Sequence, residues 1–147
     1  MTARINSMTP PFTDTVQSVF DRIMPRGVPP LALFTMLARD PRLFDKFMAG
    51  GLLDKGHLTL RQREIVIGRV TAQCGSEYEW GVHIAFFATK VGFTDQEITS
   101  LVHGTANDPC WHEPGERLLI RLCDALHSDC QINDLLWDEL TAIFSEY

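Results

Sequence analysis

Residues 64–83 read E-I-V-I-G-R-V-T-A-Q-C-G-S-E-Y-E-W-G-V-H. Apolar residues recur at helical spacing on both sides of Gly75, which predicts a helix, a turn and a second helix. On a helix that turns about 100° per residue, Ser76, Glu79 and His83 fall within an arc of roughly 60°. With Glu64 on the preceding helix, two carboxylates, a hydroxyl and an imidazole are placed where they could contact one small ligand.

Helical periodicity with capping signals continues along the whole chain and predicts an all-α fold of about eight helices. Two-residue alternation flanked by hairpin turns is nowhere convincing. The expected helices begin near Thr13, Pro30, Asp40, Thr59, Ser76, Thr94, Pro114 and Asn133, and Gly50-Gly51 is expected to end the third one with a left-handed turn. Residues 1–12 are expected to form an irregular arm, and residues 104–113 an irregular connection. Residues 144–147 continue a helical pattern, which indicates a C-terminus cut short.

The composition describes a single globular domain over residues 1–147, because 45% of the residues are hydrophobic and can form one core. A formal net charge of −6, without a Lys/Arg-rich run, argues against nucleic acid or an anionic membrane as partner. No apolar run approaches the ~20 residues that span a bilayer, and residues 1–6 lack the features of a signal peptide. We therefore expect a cytoplasmic protein whose four cysteines are mostly reduced thiols.

Glu64 lies on the apolar side of its helix, beside Leu60 and Ile67. An unpaired buried carboxylate costs several kcal/mol, so Glu64 must be protonated, hydrogen-bonded or paired. Arg61 on the same helix and His83 on the next helix are the available partners. The alternative to a functional role is a buried Glu–Arg ion pair that only ties helices together.

The polar stripe on the second helix also has a structural interpretation. Ser76 and Glu79 form the S-x-x-E pattern of a capping box, and a stripe that continues to Lys90 is typical of a solvated helix face. Capping is the better interpretation for Ser76, while Glu79 fits capping and catalysis equally well. A histidine on so apolar a helix is more often a satisfied core residue than a catalyst, yet two carboxylates within reach favour acid/base behaviour of His83.

Residues 60–83, L-R-Q-R-E-I-V-I-G-R-V-T-A-Q-C-G-S-E-Y-E-W-G-V-H, are followed by G-F-T-D-Q-E-I and later by E-R-L-L-I-R-L-C-D-A-L-H. These segments resemble the carboxymuconolactone decarboxylase and alkylhydroperoxidase D-like superfamily, and the resemblance extends from about Pro25 to the end of the sequence. In its peroxidase branch a Glu is followed, after eleven residues, by C-x-x-C-x-x-x-H. Glu64 and His83 fall on the family's Glu and His, whereas Ser76 and Glu79 occupy its two cysteine positions. The resemblance implies an alkylhydroperoxidase D-like helical fold and a homo-oligomer, either a trimer or a hexamer.

Thiol peroxidase chemistry needs an attacking thiolate and a second thiol to resolve the sulfenate, and neither cysteine position holds sulfur here. The main hypothesis is therefore a cofactor-independent lyase of the decarboxylase branch, acting on a small carboxylated lactone or keto acid. His83 would be the general acid, with Glu64 or Glu79 orienting its ring. The expected substrate-binding residues are Ser76, Tyr78, Trp80, Phe87 and Cys74.

Two other functions stay open. A peroxidase could use Cys74 as an atypical nucleophile with an external thiol as resolver, or the domain could be a non-catalytic helical ligand-binding or assembly module. A metal site is not expected, because the Cys110/His112 and Cys123/His127 spacings are not supported by a paired C-x-x-C.

Overall fold

Eight α-helices and no strand are found in residues 5–50 and 56–144, which are the residues that this computed structural model describes. The all-α prediction is confirmed. The helices are α1 (Asp14–Ile23), α2 (Ala32–Leu37), α3 (Pro41–Ala49), α4 (Leu60–Gln73), α5 (Glu77–Val91), α6 (Asp95–His103), α7 (Pro114–Asp129) and α8 (Asp134–Ile143). The chain divides into two compact units between residues 54 and 55. Each unit is described by itself below, and the single domain over residues 1–147 stays a prediction.

The first unit contains α1–α3, which pack around an aromatic core. Phe20 is 1% exposed and makes edge-to-face contacts with Phe12 and Phe44, at ring-centroid distances of 5.0 and 5.8 Å. Residues 5–12 contain no helix, as predicted for the arm, whereas residues 1–4 lie outside the described part of the chain. The arm is held to this unit because the Met8 amide donates to the Thr35 carbonyl at 3.1 Å.

The second unit is built around α4, which packs against α5, α6 and α7, while α8 packs on α7. Its fully buried side chains come from four parts of the sequence, and they are Ile65, Leu101, Trp111 and Ile120. Gly68 lets α6 approach α4 closely, because a Cβ at this position would lie 3.0 Å from the Leu101 side chain. This close packing fixes the position of the helix that carries Glu64.

Arg61 joins three elements of the second unit. Its guanidinium forms ion pairs with Glu97 of α6 and Glu116 of α7, and it donates to the Val91 carbonyl at 3.1 Å. Burial alone would raise the pKa of Glu97, but hydrogen bonds from the Thr94 amide and from Arg61 outweigh burial and hold the pKa below its ordinary value of 4.5. The cluster is therefore a charged tie between helices.

Several predicted helix boundaries are confirmed and others are wrong. The capping boxes at Thr59 and Thr94 are present. The second helix begins at Ala32 rather than at Pro30, because Leu31 has extended backbone angles. Gly50 is right-handed at φ −71°, so the left-handed end is wrong for Gly50, and Gly51 lies outside the described residues. The last helix ends at Ile143, and Phe144 has extended backbone angles. Residues 145–147 lie outside the described residues.

Ser76 begins α5 as predicted, but its side chain makes no capping hydrogen bond. The reason lies in the turn before it, where Gly75 is left-handed at φ +64° and the end of α4 is a Schellman motif. Its two hydrogen bonds join the Ser76 amide to the Thr71 carbonyl at 2.8 Å and the Gly75 amide to the Ala72 carbonyl at 3.1 Å. This motif holds Ser76 at ψ 70°, whereas the capping residue Thr59 has ψ 158°. The Ser76–Glu79 capping box is therefore wrong.

The two N-cap residues should respond differently to alanine. Thr59→Ala removes a formed capping bond and should lower the free energy of unfolding by about 1 kcal/mol. Ser76→Ala removes a hydroxyl that caps nothing, so we expect a change within about 0.5 kcal/mol. Urea denaturation of both variants measures the difference, and equal losses would contradict the assigned cap geometry.

No helix in the described ranges combines the length and apolar character needed to cross a bilayer.

Candidate functional site

Glu64 is a buried carboxylate, 3% exposed, with partners on both oxygens. Its Oε2 lies 2.7 Å from His83 Nδ1, and its Oε1 accepts from Arg63 Nη2 at 3.1 Å and from Arg63 Nε at 3.2 Å. Because α4 and α5 are joined by a tight turn, the inward face of α4 meets the face of α5 that carries His83. The prediction that Glu64 needs a partner is confirmed, and that partner is His83, with Arg63 as the second.

The His83 ring is held in one orientation by this bond. An ionised carboxylate only accepts hydrogen bonds, so Nδ1 is the donor and Nε2 is the ring nitrogen left for a ligand. Within the described part of the chain, Nε2 has no hydrogen-bond partner, and the His83 side chain is 23% exposed. This arrangement leaves Nε2 as the ring nitrogen at which a proton could be delivered or accepted.

Phe87 packs beside the imidazole one turn further along α5. Its ring stacks on His83 with a centroid distance of 5.5 Å and an interplanar angle of 24°. Two cations also lie over the Phe87 ring, with Arg63 Cζ at 5.6 Å and Lys90 Nζ at 5.0 Å from the centroid. The structure therefore brings Glu64, His83 and Phe87 together, and it adds two positive charges beside them.

Glu79 is half-buried and lies one helical turn before His83 on α5. In the ranges that the structure describes, its side chain has no hydrogen bond or ion pair with Glu64 or His83. Of the two carboxylates expected to orient the imidazole, the one in contact is Glu64. A catalytic role for Glu79 stays a prediction.

The other predicted substrate-binding residues lie mainly around a second face of α5. Ser76 and Trp80 line a cleft of about 600 Å³ together with Thr71, Gly81 and His103. The Trp80 indole Nε1 is buried there and has no hydrogen-bond partner among the described residues. Neither Glu64 nor His83 lines this cleft, so the structure places Ser76 and Trp80 apart from the His83 contact surface.

Tyr78 and Cys74 are both exposed near the start of α5. The Tyr78 side chain is 49% exposed. Cys74 is the C-cap of α4, and within the described ranges no hydrogen bond to its thiol is recorded. Roles of these two residues in substrate binding stay predictions.

Arg63 and Lys90 lie beside Glu64, His83 and Phe87, and the sequence interpretation assigned neither of them to the site. Helix angles favoured Arg61, three residues before Glu64, but the Arg61 guanidinium is already bound by Glu97 and Glu116. Arg63 is adjacent to Glu64 in sequence and reaches it through its long side chain. Lys90 could have been found from the sequence, since it is seven residues after His83 and therefore shares its face of α5.

The other cysteines and histidines do not form a cluster. Cys123 is buried, and burial raises the pKa of its thiol to about 11, whereas His127 is exposed. Across residues 5–50 and 56–144, no group of three His, Cys, Asp or Glu side chains is arranged to hold a metal ion.

Residues 41–111 match the family model described as the Carboxymuconolactone decarboxylase family. The matched range contains Glu64, Ser76, Glu79 and His83. Comparisons with curated proteins and with solved structures gave no match.

Proposed function

We propose, for a chain whose residues 41–111 match the carboxymuconolactone decarboxylase family model, cofactor-independent acid/base catalysis on a small carboxylated lactone or keto acid. The observation that carries this proposal is the 2.7 Å contact between His83 Nδ1 and the buried Glu64 carboxylate. A buried acid behind an imidazole whose other nitrogen is available is the arrangement that general acid/base catalysis uses.

The proposed reaction is a decarboxylation with proton return. The bond between the carboxyl carbon and its neighbour breaks, carbon dioxide leaves, and the electron pair moves into the adjacent carbonyl to form an enolate. His83 Nε2–H then donates its proton to the carbon that lost the carboxyl group, and water restores the imidazolium. Glu64 holds Nδ1 and orients the ring so that Nε2 is the nitrogen that transfers the proton.

Supporting roles are proposed for the other predicted residues. Phe87 stacks on His83 and covers one side of the imidazole, which would limit access of water there. Tyr78 would donate to the developing oxyanion, and Glu79 would assist proton exchange from its position one turn before His83. Ser76 and Trp80 line the separate cleft of about 600 Å³, so their proposed role is to hold a part of the substrate that extends away from the reacting carbon.

The alternative functions have less support. A peroxidase using Cys74 needs a second thiol to resolve the sulfenate, and the two cysteine positions of the peroxidase branch hold Ser76 and Glu79. A purely structural module does not account for His83 Nε2, which has no hydrogen-bond partner among the described residues. The acid/base function therefore accounts for more of the geometry.

We also propose that the chain forms a homo-oligomer, with a small-molecule substrate as its other partner. Large apolar side chains on α8 are exposed, with Leu135 at 74% and Trp137 at 55%. Covering them with a second copy would remove apolar surface from water. The number of copies, three or six, is an expectation from the family resemblance.

The test of the proposed function is an assay of small carboxylated lactones and keto acids in heavy water. Wild type should release carbon dioxide from at least one of them and place a single deuterium on the carbon that carried the carboxyl group. Glu64→Gln removes the charge behind the imidazole and should lower kcat about 10–100-fold, since a hydrogen bond to a charged group is worth about 1.5–3 kcal/mol.

Glu113→Gln is the matched control, because Glu113 is an exposed acid at the N-cap of α7 whose side chain makes no capping hydrogen bond. It should keep the wild-type rate. Failure to release carbon dioxide from any compound of the set, or equal rates for Glu64→Gln and wild type, would overturn the proposed function.

A further inference from the structure

We propose that Lys90 and Arg63 form an anion-binding subsite over Phe87 that selects substrates with a free carboxylate over their neutral analogues. This inference rests on the proposed function of the Glu64–His83 pair. It assigns the recognition of the carboxylate to two residues that the sequence interpretation did not place in the site.

The first argument is position. Lys90 Nζ lies 5.0 Å from the centroid of the Phe87 ring, and Arg63 Cζ lies 5.6 Å from the same centroid. The imidazole of His83 stacks on this ring at 5.5 Å. The Phe87 ring is therefore the common neighbour of Arg63, Lys90 and His83, and the proposed subsite lies on the surface around this ring.

The second argument is hydrogen-bonding capacity. Arg63 uses Nε and Nη2 on Glu64, and its guanidinium carries five N–H donors in total, so donors remain for a ligand. The Lys90 ammonium has three donors, and in the described ranges it has no ion pair with an acidic residue. A carboxylate would satisfy donors of both side chains.

The third argument is the local balance of charge. Glu64 is the acid bound to this group, and its charge is already shared by Arg63 and His83. Glu79 is the other acid on this face of α5, and it lies about three turns from Lys90. Lys90 is therefore the positive charge left for an incoming anion.

A local role for Lys90 is the competing explanation. Phe87 and Lys90 are three residues apart on α5, and such pairs support a solvated helix face by a few tenths of a kcal/mol. That role would give Lys90 an effect on stability alone. Arg63 comes from α4 to the same ring, and a purely local pair on α5 does not account for it.

The test uses a keto acid and its neutral ester as probes, 4-oxopentanoate and methyl 4-oxopentanoate. Binding to the full chain is followed by NMR through the ring signals of His83 and Phe87. We expect wild type to bind the acid about tenfold more tightly than the ester, which corresponds to about 1.4 kcal/mol. Lys90→Gln should remove that preference, because binding of the acid should become about tenfold weaker while binding of the ester stays unchanged.

Two further variants separate specific from general effects. Arg121→Gln changes the net charge by the same amount, and Arg121 pairs with Glu139 on an exposed surface, so it should keep the acid preference. Arg63→Lys keeps the charge but loses the planar fork, so the acid should bind more weakly than in wild type but more tightly than in Lys90→Gln. Thermal melting of each variant checks that it is folded.

The outcomes separate this inference from the proposed function. Equal binding of acid and ester, no binding of the acid at millimolar concentrations, or an unchanged preference in Lys90→Gln would overturn the subsite. An acid preference that depends on Lys90, in a protein that releases no carbon dioxide, would support the subsite and remove the proposed function. Release of carbon dioxide without a preference for the acid over the ester would support the proposed function and overturn the subsite.

Discussion

Replacing His83 with glutamine is expected to lower the rate of product formation about 10²–10⁴-fold, the usual contribution of a positioned general acid or base. Glutamine can still donate a hydrogen bond to Glu64, so the buried carboxylate keeps a partner and the fold should persist. What is lost is the titrating nitrogen Nε2. Steady-state kinetics on the compound identified with wild type, with thermal melting as the folding check, measures both properties.

His127→Gln is the matched control for this variant. His127 is exposed near the end of α7, and we expect its replacement to leave kcat and KM unchanged. A folded His83→Gln protein with the wild-type rate would remove the imidazole from the mechanism. A loss confined to KM would instead assign His83 to substrate binding.

Replacing Arg61 with alanine is expected to cause the largest loss of stability, about 3–5 kcal/mol, because it leaves two buried carboxylates without their cation. Glu97 is 5% exposed and Glu116 is 8% exposed. Urea denaturation at neutral pH measures the loss. Arg121→Ala is the control, since it breaks an exposed ion pair with Glu139 and should cost about 0–1 kcal/mol.

The effect of Arg61→Ala should also depend on pH. The folded-state pKa of Glu97 is below its ordinary value of 4.5, so its stabilising contribution is present above that value and is lost as the pH falls through the folded pKa. Without Arg61 that pKa rises, and protonation then relieves the buried charge. The stability difference between wild type and Arg61→Ala should therefore narrow below pH 4.5. A difference that stays constant between neutral and acid pH would contradict a charge-based role.

Local sequence patterns were sufficient to predict most of the helices and the inward direction of Glu64 in the candidate site. The capping boxes at Thr59 and Thr94 depend on residues three apart, and the inward direction of Glu64 depends on helix periodicity alone. The need of this buried carboxylate for a partner left Arg61 and His83 as candidates, and in the structure the partner is His83.

The remaining features depend on contacts that local patterns do not contain. Arg61 was a reasonable partner for Glu64 by helix angle, but Glu97 and Glu116, more than thirty residues away in sequence, bind its guanidinium instead. Ser76 has the residue type of an N-cap, yet the Schellman motif before it sets a backbone angle that prevents capping. In both cases a residue could make two alternative sets of hydrogen bonds, and the local pattern contains only one of the two sets.

The Schellman turn joins the two helices that carry Glu64 and His83 through the shortest connection its hydrogen bonds allow. Ser76 completes the last hydrogen bond of α4 and also starts α5, so the connection has no spare residue that could absorb a length change. Because each helical residue adds about 100° of rotation, one inserted residue would swing the imidazole away from the carboxylate even though neither side chain had been altered. Tolerance to insertions should therefore be lowest at this junction.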